Sequence, residues 1–181
     1  MPDMLVRGRD CGDCTECCHT ASIESPTLTK PNGVSCPHVC ATGCGIYAAR
    51  PDPCSDWYCA WRLSDTLDDR WRPDRCGILV EMLFDVIPHG FAIPAIRFTL
   101  LHPTTDLFWP PFVALVTKAI ALRQPAYLCL HGPPGHLLAQ SLLNVPALIA
   151  AVDAGDEESV RTGLQRARAS LEAHHWQRKS A

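Results

Sequence analysis

The crowding of cysteines near one end of the chain limits its fold more than any other feature. Nine of the eleven cysteines lie between Cys11 and Cys59, and only Cys76 and Cys129 lie outside this stretch. The stretch is also rich in Gly and Pro, which favour turns over long helices or strands. Such a segment buries little apolar surface, so disulfides or bound metal must supply part of its stability.

The N-terminal sequence favours metal over disulfides. The first ten residues, MPDMLVRGRD, are interrupted by charge and lack the apolar run of about 7–15 residues of a secretory signal. Residues 112–122 are strongly apolar, but they include Lys118 and are shorter than a membrane span of about 18–20 residues. We therefore expect a cytoplasmic protein without a membrane segment. In that reducing compartment, clustered cysteines indicate a metal site.

Length and charge exclude some classes of function. With 181 residues, 47% of them hydrophobic, the chain can form one domain or a small module and a modest domain. The formal net charge is −3 and no basic stripe is present, so we expect no nucleic-acid partner. The sequence indicates no protein partner, no substrate and no catalytic residue, which leaves metal ions as the predicted partners.

The run Cys11-Gly-Asp-Cys14-Thr-Glu-Cys17-Cys18 has the spacing of a thiolate metal site. A C-x2-C step places two thiolates on one side of a tight turn, where both can reach the same ion. Soft thiolates select zinc, copper(I) or iron–sulphur clusters over magnesium or calcium. Zinc takes four ligands, with sulphur at about 2.3 Å, and a [4Fe–4S] cluster is held by about four cysteines.

The number of cysteines exceeds what one such site needs. A first group and a later group each offer four thiolates, and the candidate ligands are Cys11, Cys14, Cys17, Cys18, Cys36, Cys44, Cys54 and Cys59. Two metal sites or one polynuclear cluster fit this count. The side chains of adjacent Cys17 and Cys18 tend to diverge, so they can serve different metals or flank a shared one. Cys40 remains in reserve, and His19 and His38 adjoin cysteines but are not needed as ligands.

The spacing of these cysteines resembles that of a known family. The matching elements are Cys11-x2-Cys14-x2-Cys17-Cys18, Cys36-Pro37 and Cys44-Gly-Ile46-Tyr47-x2-Arg50-Pro51-x2-Cys54-x2-Trp57-x-Cys59. They resemble the CxxCxxCC zinc- or iron-chelating domain family, the YkgJ-like cysteine cluster proteins, over about residues 11–61. The flagellin lysine N-methylases belong to the same grouping. The resemblance implies that the same eight cysteines chelate zinc or iron, and the iron could be held as a [4Fe–4S] cluster. Cys40 lies outside the family pattern.

Four functions are consistent with these observations. The leading hypothesis is a metal-binding protein that chelates zinc or iron through the eight cysteines. The alternatives are an iron–sulphur enzyme or electron carrier related to the methylases, a metal storage or chaperone protein, and a structural zinc module attached to an interaction domain. The sequence does not decide whether the protein is an enzyme.

The sequence predicts an α+β fold in two parts. Residues 1–62 form a loop-rich cysteine module, and residues 63–181 form a small α+β domain with C-terminal helices. Residues 77–87 and 91–101 alternate in polarity and read as a β-hairpin, with Pro94 indicating an edge position or a bulge.

The remainder of the second part predicts a strand and three helices. Apolar residues at helical spacing predict a helix over 110–123, and residues 126–131 read as a third strand. Residues 132–135 form a turn, residues 136–143 are ambiguous, and helices follow at 146–152 and from 157 on.

Two side chains of the cysteine module, Arg50 and Trp57, have two possible roles. Arg50 either offsets thiolate charge or is a surface residue. Ile46, Tyr47 and Trp57 are expected to form a small hydrophobic core. Trp57 could instead join Tyr58 and Trp61 in shielding a cluster from solvent.

Overall fold

The computed structural model describes residues 4–85, 87–174 and 176. Its first half contains only short elements, because Gly and Pro interrupt the chain every few residues. The longest of them, α1, has five residues. These elements are α1 (Glu16–Thr20), β1 (Ile23–Glu24), β2 (Thr29–Lys30), β3 (Val39–Cys40), β4 (Gly43–Cys44), α2 (Asp52–Ser55), α3 (Ala60–Leu63) and α4 (Pro73–Cys76). Strands β1 and β2 form one antiparallel ribbon, and β3 and β4 form another.

The second half is a four-stranded sheet with three helices. The strands are β5 (Ile78–Leu83), β6 (Ala95–Leu100), β7 (Ala126–Leu130) and β8 (Ala139–Leu142), and they lie in that order across the sheet. Pairs β5–β6 and β7–β8 are antiparallel, whereas β6 and β7 are parallel. The helices are α5 (Pro110–Ala121), α6 (Pro146–Asp153) and α7 (Glu157–Glu172). Helix α5 makes the crossover that parallel neighbours require. The predicted α+β class is confirmed.

The two faces of the sheet differ in chemistry. Alternate residues of a strand point to opposite faces. One face is apolar and packs against the helices, as in the edge-to-face contact of Phe98 with Phe112, whose ring centroids lie 5.4 Å apart. On the other face, Glu81 pairs with Arg97 and Leu79 pairs with Thr99 across β5 and β6. That polar face lies toward the cysteines.

Most element predictions for this half are confirmed. The antiparallel pair β5–β6 lies within the predicted hairpin, and β7 and α5 lie within their predicted ranges. The expectation that Pro94 marks an edge strand is wrong, because β6 lies between β5 and β7 and Pro94 precedes its first residue. Proline is tolerated there, since no ladder hydrogen bond is lost. The ambiguous residues 136–143 contain β8.

The hydrophobic core continues past the predicted boundary at residue 62. Cys59, Ala60 and Trp61 pack in the same buried cluster as Leu67 and the sheet. The boundary itself therefore stays a prediction. Within the part of the chain that the structure describes, no helix is both long and apolar enough to cross a membrane.

Candidate metal centre

A cavity of about 410 Å³ separates the polar face of the sheet from the segment that carries the cysteines. All eight candidate ligands line it, namely Cys11, Cys14, Cys17, Cys18, Cys36, Cys44, Cys54 and Cys59. The other three cysteines lie elsewhere. Cys40 is exposed, while Cys76 and Cys129 pack outside the lining. The cavity thus contains the eight candidate ligands and excludes the three cysteines that were not candidates.

Short turns bring the first cysteines to the cavity. The backbone N–H of Cys14 donates to the carbonyl of Cys11 at 2.9 Å, which closes the first C-x2-C turn. This turn packs on the β3–β4 ribbon, where Gly43 has a φ of 115°. A side chain at that position would overlap the carbonyl oxygen of Gly12. Glycine at Gly43 therefore permits the close approach of the two segments.

The later cysteines are positioned by hydrogen bonds and local packing. The N–H of Cys36 donates to the carbonyl of Cys18 at 2.9 Å, and the N–H of Cys54 donates to Pro51 at 2.8 Å. Cys18 and Cys54 pack against a small cluster of Ile23, Leu28 and Cys36.

Cys59 instead belongs to the main core, at the start of α3. Four of the eight thiols are therefore held by two separate hydrophobic clusters, Cys59 by one and Cys18, Cys36 and Cys54 by the other.

One set of four thiols is identified by mutual electrostatic effects. The pKa of Cys59 is raised to about 12, mainly by burial and to a smaller extent by the thiols of Cys11 and Cys14. The pKa of Cys17 is raised most by Cys18 and by burial, and Cys11 and Cys14 act in the same direction. Like charges disfavour ionisation more strongly the closer they lie, so we group these four cavity thiols together.

The remaining four thiols form a second set. Burial raises the pKa of Cys54, and Cys36, Cys18 and Cys44 act in the same direction. Cys18 and Cys36 likewise add to the effect of burial in raising the pKa of Cys44. We call Cys11, Cys14, Cys17 and Cys59 set A, and Cys18, Cys36, Cys44 and Cys54 set B.

The two sets meet at adjacent residues. The two thiols act on each other's ionisation, which raises the pKa of Cys17 and lowers that of Cys18. The sulphurs are not gathered around common points, since no group of three or more His, Cys, Asp or Glu side chains among residues 4–85, 87–174 and 176 has the arrangement of a metal site. Coordination would therefore require the thiols to draw closer together.

Two cations lie beside set B. Lys30 is 3% exposed, and its ammonium donates to the carbonyls of Pro31 and Val34. The guanidinium of Arg50 stacks on Tyr47, with 3.8 Å from its central carbon to the ring centroid. The charges of Lys30 and Arg50 both act to lower the pKa of Cys18, after the larger effect of Cys17. Of the two roles considered for Arg50, the electrostatic effect on the thiols is therefore favoured over that of a simple surface residue.

Ile46 and the aromatic residues of the cysteine segment line the cavity, and Trp61 also belongs to the main core. Ile46, Tyr47, Trp57, Tyr58 and Trp61 all contribute to its wall. Ile46, Tyr47 and Trp57 do not form a core of their own, because Trp57 packs against the main core and the small cluster under the cysteines is built on Ile23 and Leu28. The hydroxyl of Tyr47 donates to the sulphur of Cys11 at 3.9 Å. His19 bonds to Ser35 at the surface, and neither His19 nor His38 lines the cavity.

The sheet supplies a polar wall that sequence reasoning did not connect with the cysteines. Glu81, Arg97, Thr99 and His131 all line the cavity, and so does Asn32. Arg97 donates from Nε and Nη2 to both carboxylate oxygens of Glu81, at 2.8 and 2.7 Å. The alternation of polar residues along β5 and β6 was a usable signal for this wall. Its position opposite the cysteines could not be read from the sequence.

No family model, curated protein or solved structure matches the chain. The resemblance to the cysteine-cluster family therefore rests on the spacing of the eight cysteines and their neighbouring motif residues.

Proposed function

We propose that this protein is a metal-binding protein that holds zinc or iron on eight cysteine thiolates, arranged as two four-cysteine sites. One observation carries the proposal. The eight cysteines selected by spacing all line a single cavity, whereas Cys40, Cys76 and Cys129 do not. In this proposal the loop-rich segment is the cysteine-cluster module that the resemblance implies, and it is attached to the α+β domain.

Sets A and B each match the ligand number of one site. Four thiolates complete a zinc tetrahedron, and four also hold a [4Fe–4S] cluster. The ligands have to move closer together on binding, because no metal-site arrangement exists among the described residues. Metal binding to small cysteine modules supplies about 10–16 kcal/mol of apparent folding energy, which is ample for such a rearrangement.

The charges around the cavity support anionic sites. Four thiolates around Zn²⁺ leave a net charge of about −2, and each such site needs cations or hydrogen-bond donors nearby. Lys30 and Arg50 lie beside set B, and the Tyr47 hydroxyl lies beside set A. The aromatic wall of Trp57, Tyr58 and Trp61 limits access of water.

The experiment is anaerobic expression with zinc and iron both supplied, followed by elemental analysis of the purified chain. About two zinc ions per chain, or iron with matching sulphide, is the expected result for two sites. A protein with no stoichiometric zinc or iron would refute the proposal.

An iron–sulphur enzyme or electron carrier is the second candidate. It is favoured by the space beside the thiols, since a site that only stabilises the fold needs no cavity of about 410 Å³. A visible spectrum separates the two versions of the site. A brown protein with sulphide-to-iron charge-transfer absorption supports the cluster, and a colourless zinc-loaded protein excludes it.

A further inference from the structure

We infer that the sheet wall of the cavity is a binding site for a small organic carboxylate, with Thr99, His131 and Arg97 as its hydrogen-bond donors. These three residues stand on one face of the sheet, opposite the cysteines. Thr99 and Arg97 are alternate residues of β6, and His131 follows the last residue of β7. Cys129, two residues before His131, pairs with Thr99 in the register, so Thr99 and His131 lie diagonally on the same face of the sheet.

Buried polar atoms without partners are concentrated at this cavity. Buried side-chain nitrogens and oxygens are nearly always hydrogen-bonded, and each exception calls for an explanation. Among the described residues, such atoms occur on Trp61, Arg62, Arg72, Thr99 and His131, and all of these except Arg72 line the cavity. Thr99 is 1% exposed, and its hydroxyl has no partner within the described chain. A ligand in the cavity would satisfy it.

His131 presents a donor rather than an acceptor. The side-chain amide nitrogen of Asn32 lies 3.2 Å from Nδ1 of His131, and an amide nitrogen can only donate. Burial lowers the pKa of His131 to about 4, with smaller effects of Arg97 and Lys30, so the ring is neutral at pH 7. A neutral ring that accepts at Nδ1 carries its proton on Nε2. That Nε2 is the buried atom without a partner.

Arg97 supplies a third donor, while its charge is balanced by Glu81, which lines the same cavity. The Nε and Nη2 of Arg97 bond to Glu81, so the N–H groups of Nη1 remain available to donate to a ligand. Lys30 adds a second cation, and both cations act on His131. A hydroxyl, an imidazole N–H and a guanidinium together match the acceptor-only oxygens of a carboxylate. The cavity volume of about 410 Å³ lies in the range of small-molecule sites.

The test is calorimetric titration of the full chain, as purified, with acetate, malonate, succinate and glutarate. Ethylamine and 1,4-diaminobutane are the oppositely charged comparison. We expect at least one carboxylate to saturate the protein and neither amine to bind. Thr99→Val should weaken carboxylate binding about tenfold, because one donor is lost without a change of shape. His131→Phe should weaken it by a similar factor.

Thr105→Val is the matched control. Thr105 is also buried, but its hydroxyl bonds to the carbonyl of Gly77 and lies outside the cavity. Its variant should keep wild-type carboxylate affinity. Absence of saturable carboxylate binding, preferential amine binding, or affinities unaffected by Thr99→Val and His131→Phe would each overturn the inference.

The inference and the proposed function can fail separately. Metal content is measured on the same samples. Zinc or iron without carboxylate binding refutes only the carboxylate site. Carboxylate binding that depends on Thr99 and His131, in a chain free of both metals, refutes only the metal proposal.

Discussion

Cys17 and Cys18 are adjacent in the chain, yet Cys11 and Cys14 act to raise the pKa of Cys17, whereas Cys18 acts to raise the pKa of Cys44 and of Cys54. Both lie in α1, where successive side chains point about 100° apart because a turn contains about 3.6 residues. One short helix can therefore contribute a ligand to each of two sites. The opposite pKa shifts of the two thiols mark the point where set A meets set B.

Separate loss of the two proposed sites is the first prediction. Cys14→Ser should remove about half of the bound metal by breaking set A, and Cys54→Ser should remove the other half by breaking set B. The double variant should bind almost none. Elemental analysis of the purified variants measures this directly.

Cys40→Ser is the matched control, because Cys40 is exposed and lies outside the cavity. It should retain the full metal content. Complete loss of metal from either single variant would argue for one shared cluster instead of two sites.

Gly43 provides a test of the contact between the first cysteine turn and the β3–β4 ribbon. A methyl group at this position overlaps the carbonyl of Gly12, so Gly43→Ala should push the Cys11–Cys14 turn away from the ribbon. We expect lower thermal stability and loss of metal from set A, measured by calorimetry and elemental analysis. Gly90→Ala is the control, because Gly90 has a φ of 87° but open space around its Cα. Equal effects of the two variants would show that backbone strain alone is responsible.

Two buried threonines should respond in opposite ways to replacement by valine. Thr105→Val breaks the bonds to Gly77 and from the N–H of His102, and should lower the free energy of unfolding by about 2 kcal/mol. Thr99→Val removes a hydroxyl without a partner in the described chain and should be neutral or stabilising by about 1 kcal/mol. Urea denaturation of both variants measures this difference. A clear loss of stability in Thr99→Val would show that its hydroxyl already has a structural partner.

The Glu81–Arg97 pair should be sensitive to the loss of one partner. Glu81 is 6% exposed, so Arg97→Met leaves its carboxylate buried without a counter-charge and should cost about 3 kcal/mol. The double variant Arg97→Met/Glu81→Leu should recover most of that loss, because no charge is left buried. Chemical denaturation of the two variants tests this. A double variant as unstable as the single one would contradict the ion-pair explanation.

His131 should titrate well below an ordinary histidine. Burial lowers its pKa from 6.5 to about 4, so the folded protein resists the proton that the unfolded chain accepts. The contribution of His131 to stability is therefore complete above about pH 6.5 and is lost as the pH falls through about 4.

NMR titration of the imidazole ring protons gives the pKa directly. His131→Phe should make the fall in stability between these pH values less steep. A ring that titrates near 6.5 would show that His131 is exposed to water in solution.

Local patterns in the sequence determined much of this protein. Cysteine clustering set the nine cysteines between Cys11 and Cys59 apart from Cys76 and Cys129, and the resemblance to the cysteine-cluster family left Cys40 outside the eight. Alternation along residues 77–87 and 91–101 located β5 and β6, since a strand with two different faces must alternate. Helical spacing in residues 110–123 located α5 for a similar reason.

Only the tertiary structure decided how those parts face one another. The grouping of Cys59 with Cys11 and of Cys54 with Cys18 depends on contacts between distant segments, which spacing does not encode. The same is true of Thr99 and His131, whose polarity was visible in the sequence but whose position opposite the thiols follows from strand order and from the packing of helices on the other face. Sequence thus determined which residues carry the chemistry, and packing of the sheet against the cysteine segment decided that they share one cavity.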